Sequence, residues 1–238
     1  MPTWQDTLCS GARELGLPLP EGLLPALQRY LDLLLDWNRR QNLTTVTDPQ
    51  QVALKHFLDS LTVLLAVPLD AATTAVDVGA GAGFPGAVLA LATGARVDLL
   101  EATAKRCRFL EALTRELALP GRVICARAED YARQQGREHY QLALARALAP
   151  LPALVEYCLP LVAVGGRLVA SKGGQAQAEL ASAQPALALL GGRLERVLVL
   201  ELPARAGRRT LAVIAKDHPT PDRYPRSTAA IAKRPLTS

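Results

Sequence analysis

Apolar residues recur with helical spacing at the start of the chain. Between residues 21 and 40 they occupy positions 23, 24, 27, 31, 34, 35 and 37, which lie on one face of a helix. Asp48 followed by Pro49 supplies an N-cap and a first-turn proline, which predicts a further helix that reaches about residue 66. The first 66 residues are therefore predicted to be helical.

The spacing changes at residue 73, where short β-rich runs begin to alternate with helical stretches. Strands are predicted at 73–79, 95–101, 122–127, 141–146 and 166–172, and two closing strands at 193–202 and 208–215 form a predicted hairpin. The intervening helices are predicted at 85–93, 104–118, 129–135, 150–162 and 175–190. Such alternation is typical of an α/β fold, a doubly wound, mostly parallel seven-stranded sheet with helices on both faces.

Composition agrees with a globular protein. Half of the 238 residues are hydrophobic and 21% are charged, which is enough to build a core without disulfides or metals. The uncharged stretch 78–95 is interrupted by five glycines and Pro85, so we expect no membrane span, and the N-terminus shows no secretory signal. A cytoplasmic protein is expected.

Cysteine and histidine are too scattered to suggest a metal site. The four cysteines form no CxxC pair, and no histidine lies at metal-ligand spacing from them. We therefore predict that Cys9, Cys107, Cys125 and Cys158 are buried thiols.

Positive charge is concentrated at the C-terminal end. Residues 201–238 hold eight Lys and Arg against three Asp and Glu, and this excess equals the net charge of +5 of the whole chain. A basic, proline-punctuated end suits a phosphate backbone. A solvated, partly disordered terminus explains the composition equally well, so both interpretations stay open.

A glycine-rich loop, DVGAGAGFPG at 77–86, comes directly after the first predicted strand and before a helix. Gly79, Gly81 and Gly83 would let the backbone pass close to a ligand at the carboxyl end of that strand, where open α/β sheets bind nucleotides. Phe84 stands where a dinucleotide-binding loop needs glycine or alanine. A glycine-rich structural turn is the alternative interpretation.

The carboxylate of Asp77 narrows the class of ligand. Placed two residues before the first glycine, it would repel a pyrophosphate, whereas it suits a ligand with an ammonium or sulfonium group. S-adenosylmethionine (AdoMet) carries both groups. The loop therefore favours AdoMet over a dinucleotide.

Polar residues follow the other predicted strands. Glu101 closes the second strand, where an acid can accept both ribose hydroxyls, and Thr103 can cap the next helix. Ala128 and Glu129 follow the third strand as candidate adenine contacts, and Arg146 follows the fourth. Each has an ordinary structural explanation alone, but together they are predicted to surround one cleft.

These segments resemble the RsmG (GidB) family of 16S rRNA guanine-N7 methyltransferases. The likeness rests on DVGAGAGFPG, LLEATAKRCRFL, RAED, ARAL and SKGG, and at the ends on WNRRQNLTTVTD, KHFLDSL and YPR followed by KRPL, so it covers about residues 30–235. It implies a Rossmann-like class I methyltransferase with an N-terminal helical extension, S-adenosyl-L-methionine as cofactor and S-adenosyl-L-homocysteine as product. AdoMet contacts are implied at Gly79, Phe84, Ala102, Thr103, Ala128, Glu129 and Arg146.

Methylation at guanine N7 places modest chemical demands on the protein. The ring nitrogen already offers an in-plane lone pair, so no general base is required, and the enzyme mainly aligns the reactants and excludes water. The sequence lacks the NPPY or DPPY motif of exocyclic-amine methylases and the Pro-Cys nucleophile of cytosine-C5 methylases. Arg146, Lys172 and His56 are the candidate positioning residues.

The implied partner is 16S ribosomal RNA or the small-subunit particle, bound by a monomer. Phe84, Trp37 and Tyr224 are candidate platforms for stacking an RNA base, although Trp37 equally suits a helix core. The candidate phosphate contacts are Arg39, Arg40, Lys55, Lys172, Arg223, Arg226, Lys233 and Arg234.

These expectations divide the chain into an N-terminal helical cap (1–66), an AdoMet-binding methyltransferase domain (67–216) and a basic C-terminal tail (217–238). Two alternatives remain open at this point. One is an AdoMet-dependent methyltransferase that acts on a small molecule or a protein, and the other is a non-catalytic RNA-binding module on a nucleotide-binding fold.

Overall fold

The computed structural model describes residues 2–173 and 176–237. The last residue of the SKGG segment, Gly174, and the first residue of the helix predicted at 175–190, Gln175, lie outside the described residues. None of the helices in the described ranges is long and apolar enough to cross a membrane.

A seven-stranded sheet forms the centre of the molecule. Its strands are β1 (Thr74–Val78), β2 (Arg96–Glu101), β3 (Val123–Cys125), β4 (Tyr140–Arg146), β5 (Val162–Lys172), β6 (Gly192–Leu202) and β7 (Gly207–Lys216). Their order in the sheet is β3-β2-β1-β4-β5-β7-β6. The first five are parallel, and β7 runs antiparallel to both β5 and β6. The predicted fold class, including the closing hairpin, is confirmed.

Helices cover both faces of this sheet. They are α1 (Trp4–Glu14), α2 (Leu23–Gln41), α3 (Pro49–Val52), α4 (Asp59–Leu61), α5 (Gly86–Thr93), α6 (Ala104–Glu116), α7 (Ala128–Ala132), α8 (Leu151–Cys158), α9 (Ala176–Ser182), α10 (Gln184–Leu189) and α11 (Thr228–Lys233). Asp48 caps α3 as predicted, because its carboxylate accepts a hydrogen bond from the Gln51 amide at 2.9 Å. The helical path then continues through a π-helix at Ala53–Leu58, α4 and a 3₁₀ turn at Thr62–Leu65.

The two faces of the sheet build two hydrophobic layers. In β1, Ala75 faces the layer that contains the N-terminal helices, α5 and α6, whereas Val76 and Val78 face the layer that contains α8 and α10. This alternation follows from the period-two geometry of a strand. The N-terminal helices are therefore packed on one face of the sheet.

Two of the four cysteines contradict the prediction of free thiols. Cys107 and Cys125 form a disulfide, with Cα atoms 5.8 Å apart, while Cys158 is a buried thiol and Cys9 is a partly buried one. Cys125 lies opposite Glu101 in the β2–β3 register, and α6 folds back so that Cys107 reaches it. The spacing of the cysteines in the sequence does not indicate this pairing, because it is the register between β2 and β3 that brings the two residues together.

Candidate active site

A cleft of about 380 Å³ opens at the carboxyl ends of β1, β2, β3 and β4. The strand order reverses at β1, which lies between β2 and β4. Open α/β sheets bind their ligands at such a switch point because the loops there diverge to opposite faces. Its wall consists of residues that follow these four strands, together with Tyr157 and Thr228.

The structure brings most of the predicted cofactor residues together at this cleft. Those that line it are Gly79, Glu101, Ala102, Thr103, Ala128, Glu129 and Arg146. Four predicted residues are absent from its described lining, namely Asp77, Gly81, Gly83 and Phe84. Arg106, Arg127, Tyr157 and Thr228 line the cleft without having been predicted.

Glu101 is a buried side chain of the cleft whose orientation is fixed by the backbone. Only 4% of the residue is exposed, and its two carboxylate oxygens accept hydrogen bonds from the Thr103 amide at 2.8 Å and from the Gly81 amide at 3.0 Å. Each oxygen keeps a second acceptor site. The carboxylate is thereby oriented by backbone donors and still able to accept two ligand hydroxyls.

Gly79, Gly81 and Gly83 of the loop differ in what surrounds them. A Cβ atom at Gly79 would lie 2.6 Å from the Leu148 side chain, and one at Gly83 would overlap the Tyr30 hydroxyl. Both positions also have a positive φ, +73° at Gly79 and +90° at Gly83, so the backbone conformation and the packing both favour glycine there. Gly81 shares the positive φ, at +60°, but a Cβ there would meet only a carbonyl oxygen at 3.8 Å. Its open surroundings match a loop that a ligand approaches.

Asp77 is fully buried and does not face the cleft. One carboxylate oxygen accepts a hydrogen bond from the Gly86 amide at 2.8 Å, and the other has no partner. Burial raises the pKa of this carboxyl to about 7. In place of the expected contact with a cationic ligand, Asp77 fixes the start of α5.

Phe84 lies inside an aromatic stack rather than on the cleft wall. Its ring packs on Tyr30 with centroids 5.2 Å apart and on His56 with centroids 4.5 Å apart. Only 5% of Phe84 is exposed, and Tyr224 is buried to a similar extent. Trp37 packs edge-on against Phe109 at 5.7 Å. Burial of Phe84 and Tyr224 corrects the expectation that they stack on a base.

Arg146 joins the cleft to the N-terminal helices. Its guanidinium donates to the Lys55 carbonyl at 3.0 Å and to the Asp59 carboxylate at 3.0 Å. The other oxygen of Asp59 accepts from Arg209 of β7 at 2.8 Å. Asp59 is 2% exposed and thus serves as the buried counter-ion of two arginines. The sequence contains no spacing signal for this triad, because 150 residues separate Asp59 from Arg209.

His56 supports Arg146 without lining the cleft. The Lys55 carbonyl can only accept, so Nδ1 of His56 carries the proton and donates to it at 2.9 Å, and Nε2 accepts from the Thr44 hydroxyl at 2.9 Å. Burial, followed by the charge of Arg146, lowers the pKa of His56 to about 4. The ring is therefore neutral at physiological pH.

Lys172 holds the loop that follows β4. Its ammonium donates to the Ala149 carbonyl at 2.7 Å and pairs with Glu179 at 2.7 Å, and its side chain is only 11% exposed. The loop contributes Ala147, Leu148 and Ala149 to the cleft. Lys172 is thus placed as a positioning residue and not as a phosphate contact.

The remaining candidate RNA contacts fall into two groups. The exposed ones are Arg39, Arg40, Arg223, Lys233 and Arg234. Lys55 is partly buried, and Arg226 forms an ion pair with the buried Glu156 at 2.6 Å. Arg226 is therefore committed to a partner within the protein.

The residues of the cleft fit AdoMet and give no indication of a metal. In the described part of the chain, no group of three or more His, Cys, Asp and Glu is placed to hold a metal ion. The buried carboxylate of Glu101 at the end of β2 can accept hydrogen bonds from ribose hydroxyls, and the buried Glu129 also lines the cleft. The sheet has β7 inserted antiparallel beside β5, and its cleft lies at the switch point. This arrangement is typical of AdoMet-dependent methyltransferases.

Comparison with known proteins specifies the family. The model of GidB, rRNA small subunit methyltransferase G, matches residues 23–208. A protein of Symbiobacterium thermophilum named Ribosomal RNA small subunit methyltransferase G is 44% identical over 241 residues, which cover 98% of both chains. One of Pelotomaculum thermopropionicum with the same name is 44% identical over 234 residues, covering 97% of this chain and 98% of the relative. The chain therefore belongs to the GidB family of rRNA small subunit methyltransferases.

Solved structures support the fold. A crystal structure of an MtNAS mutant superposes with a TM-score of 0.54 at 16% identity, covering 82% of this chain and 76% of that one. At this identity the likeness concerns the fold alone.

Proposed function

We propose that the protein transfers a methyl group from AdoMet to N7 of a guanosine in the 16S ribosomal RNA of the small subunit. The observation that carries this proposal is the cleft at the β1–β4 switch point, with a buried and oriented Glu101, in a chain of the GidB family. AdoMet supplies an electrophilic methyl group on a cationic sulfur, and S-adenosyl-L-homocysteine is the product.

Different residues of the cleft suit different parts of the AdoMet molecule. The free acceptor sites of Glu101 suit the ribose hydroxyls, and Ala102, Thr103, Ala128 and Glu129 suit the adenine. The backbone at Gly79 and Gly81 adjoins Glu101 through the Gly81 amide. Arg146 and the loop at 147–149 close the wall toward the N-terminal helices.

The proton chemistry of the cleft suits N7 as the nucleophile. The described lining holds no His, Lys or Cys, and its two carboxylates, Glu101 and Glu129, accept hydrogen bonds from the Gly81 and Thr103 amides and from the Thr228 hydroxyl. His56 lies behind the wall with its pKa lowered to about 4 by burial, and both of its ring nitrogens are engaged. Guanine N7 needs no base, so these residues act by alignment, fixed dipoles and exclusion of water.

Label transfer tests the function. The protein is incubated with AdoMet labelled in the methyl group and with 16S rRNA, assembled small subunits, a protein extract or a small-molecule extract. We expect label in the RNA, either naked or assembled, and aniline cleavage at a single guanosine after borohydride reduction. Glu101→Ala serves as the control for the cleft.

Each other result contradicts the proposal in a different way. Label in the protein or small-molecule fraction would assign another substrate to the same site. RNA binding without any transfer would indicate a non-catalytic module. Labelled RNA that resists aniline cleavage would reject N7 as the acceptor.

A further inference from the structure

The C-terminal segment, residues 220–236, is folded against the methyltransferase domain. Nε and Nη2 of Arg226 donate to the two carboxylate oxygens of Glu156 at 2.8 and 2.6 Å, and the Arg226 amide donates to the same carboxylate at 2.9 Å. Glu156 is completely buried, so this ion pair anchors the segment on α8. Tyr224 and Ile231 are also buried. A segment held in this way has a defined position relative to the cleft.

This anchoring delivers one side chain of α11 to the cleft. Thr228 lines the cleft, and its hydroxyl is hydrogen-bonded to Oε1 of Glu129. Ser227 fixes the first turn of α11, because its hydroxyl accepts from the Ala230 amide at 3.4 Å. The backbone of Thr228 is thus held from both directions along the chain.

Tyr157 completes this corner of the cleft. It lies on α8, one residue after Glu156, and lines the cleft beside Thr228 and Glu129. Burial, followed by the negative charge of Glu129, raises the pKa of the Tyr157 phenol. The three side chains therefore form one contiguous polar corner.

The chemistry of the two groups fixes the direction of the hydrogen bond between Thr228 and Glu129. A carboxylate only accepts hydrogen bonds, so the Thr228 hydroxyl donates to Oε1 of Glu129. The donated bond holds the carboxylate in one orientation. Oε2 of Glu129 then remains as an acceptor for a ligand, which favours an amino group and disfavours a carbonyl at the same position.

We propose that Thr228 orients Glu129 so that its carboxylate selects the 6-amino group of the adenine ring of AdoMet. The inference rests on the proposed function, because that function supplies the occupant of the cleft. Thr228 is a positioning residue, and the C-terminal segment belongs to the cofactor site.

This assignment changes the expectation for the basic tail. The sequence places residues 217–238 in a basic tail outside the AdoMet-binding domain at 67–216, either as phosphate contacts or as a solvated terminus. In the structure, removing them would take away Thr228 and leave the buried charge of Glu156 without Arg226. The cofactor site therefore depends on the segment.

Binding calorimetry with two ligands tests the inference. The full-length protein and its Thr228→Val and Thr228→Ser variants are titrated with S-adenosylhomocysteine and with S-inosylhomocysteine, which carries a carbonyl in place of the 6-amino group. We expect the wild-type protein to prefer the adenosyl ligand by about tenfold or more, the value of one charge-assisted hydrogen bond. Thr228→Val should lose most of this preference, and Thr228→Ser should keep it.

Two results for Thr228→Val would overturn the inference: an unchanged preference, or an equal loss of affinity for both ligands, which indicates a general effect on the cleft. Glu129→Gln provides a second test that does not depend on the folding of the first variant. Its amide also offers a donor, so the preference for the amino ligand should fall, and an unchanged preference would again reject the inference. Failure of the wild-type protein to bind either ligand would instead reject AdoMet as the cofactor, and the inference with it.

Discussion

Glu101 shows how a single buried carboxylate combines a structural and a binding role. It holds the amides of Gly81 and Thr103 and leaves two acceptor sites to the cleft. Glu101→Gln keeps the shape but replaces one acceptor by a donor. We expect the affinity for S-adenosylhomocysteine to fall about tenfold or more, because hydrogen bonds to a charged group contribute about 1.5–3 kcal/mol. Calorimetry measures the change, and Glu111→Gln on the exposed side of α6 is the matched control.

Loss of the buried Asp59 carboxylate should cost considerable stability. It pairs with both Arg146 and Arg209 in a site where its own side chain is 2% exposed. Breaking a buried pair by removing one partner costs about 3–5 kcal/mol, so Asp59→Asn should lower the free energy of unfolding by about that amount. Urea denaturation measures it.

A matched surface pair provides the comparison for Asp59. Asp36 lies 3.9 Å from Arg40, and both side chains are more than half exposed. Asp36→Asn should change the free energy of unfolding by less than about 1 kcal/mol, as is usual for surface ion pairs. Equal changes in the free energy of unfolding for the two substitutions would show that the buried triad stabilises the fold no more than a surface ion pair does.

At the scale of elements, α2 and the glycine loop are fitted to each other. The Tyr30 hydroxyl donates to the Ala82 carbonyl at 2.5 Å and occupies the space that a Cβ at Gly83 would need. Gly83→Ala should therefore be less destabilising in a Tyr30→Phe background than in the wild-type protein. We expect a coupling energy of about 1 kcal/mol or more from urea denaturation of the four proteins. Additive effects would mean that the Tyr30 hydroxyl is not the reason why position 83 requires glycine.

Across the whole molecule, pH acts on two buried groups in opposite directions. The pKa of His56 is lowered by burial to about 4, so the unfolded chain binds the extra proton between about pH 4 and 6.5, and His56 makes stability rise with pH there. The pKa of Asp77 is raised by burial to about 7, so the folded chain binds the extra proton between about pH 4 and 7, and Asp77 makes stability fall with pH.

Variants at the two positions separate these contributions. Between about pH 4.5 and 6, His56→Gln should make the slope of unfolding free energy against pH less positive, and Asp77→Asn should make it more positive, each by up to about 1.4 kcal/mol per pH unit. Urea denaturation across this range measures both slopes. Shifts of the same sign in the two variants would contradict the assigned pKa directions.

The net charge of the molecule overstates the number of cations that are free to contact RNA. Of the eight cations in residues 201–238, Arg209, Lys216 and Arg226 are bonded to partners within the fold. The other five, Arg205, Arg208, Arg223, Lys233 and Arg234, are exposed, and the last three of them lie in the basic C-terminal tail.

Replacing these three exposed cations by glutamine should weaken RNA binding without changing the affinity for S-adenosylhomocysteine. The slope of log affinity against log salt should become shallower by about 2 units, since each single-strand phosphate contact contributes about 0.7. RNA binding across a salt series measures this slope. An unchanged slope would move the RNA surface to Arg39 and Arg40.

Patterns local in the chain were enough to determine the sheet class and much of the cleft. Strand and helix alternation predicts all seven strands, and parallel strands bring their carboxyl ends to one edge, so Glu101, Glu129 and Arg146 are predictable as neighbours. The short helix α11 is missed, because its position depends on the Arg226–Glu156 pair and on burial of Ile231 rather than on its own six residues.

Only the tertiary structure decided what the individual residues of the site do. Asp59 meets Arg209 because β7 inserts between β5 and β6, and Cys107 meets Cys125 because β3 pairs with β2. Asp77 and Phe84 follow the expected motif, yet packing of the N-terminal helices and the start of α5 turns them inward. Such pairings depend on contacts between segments far apart in the chain. No fixed spacing along the sequence marks these pairs, because the residues meet only when all the strands have taken their places in the sheet.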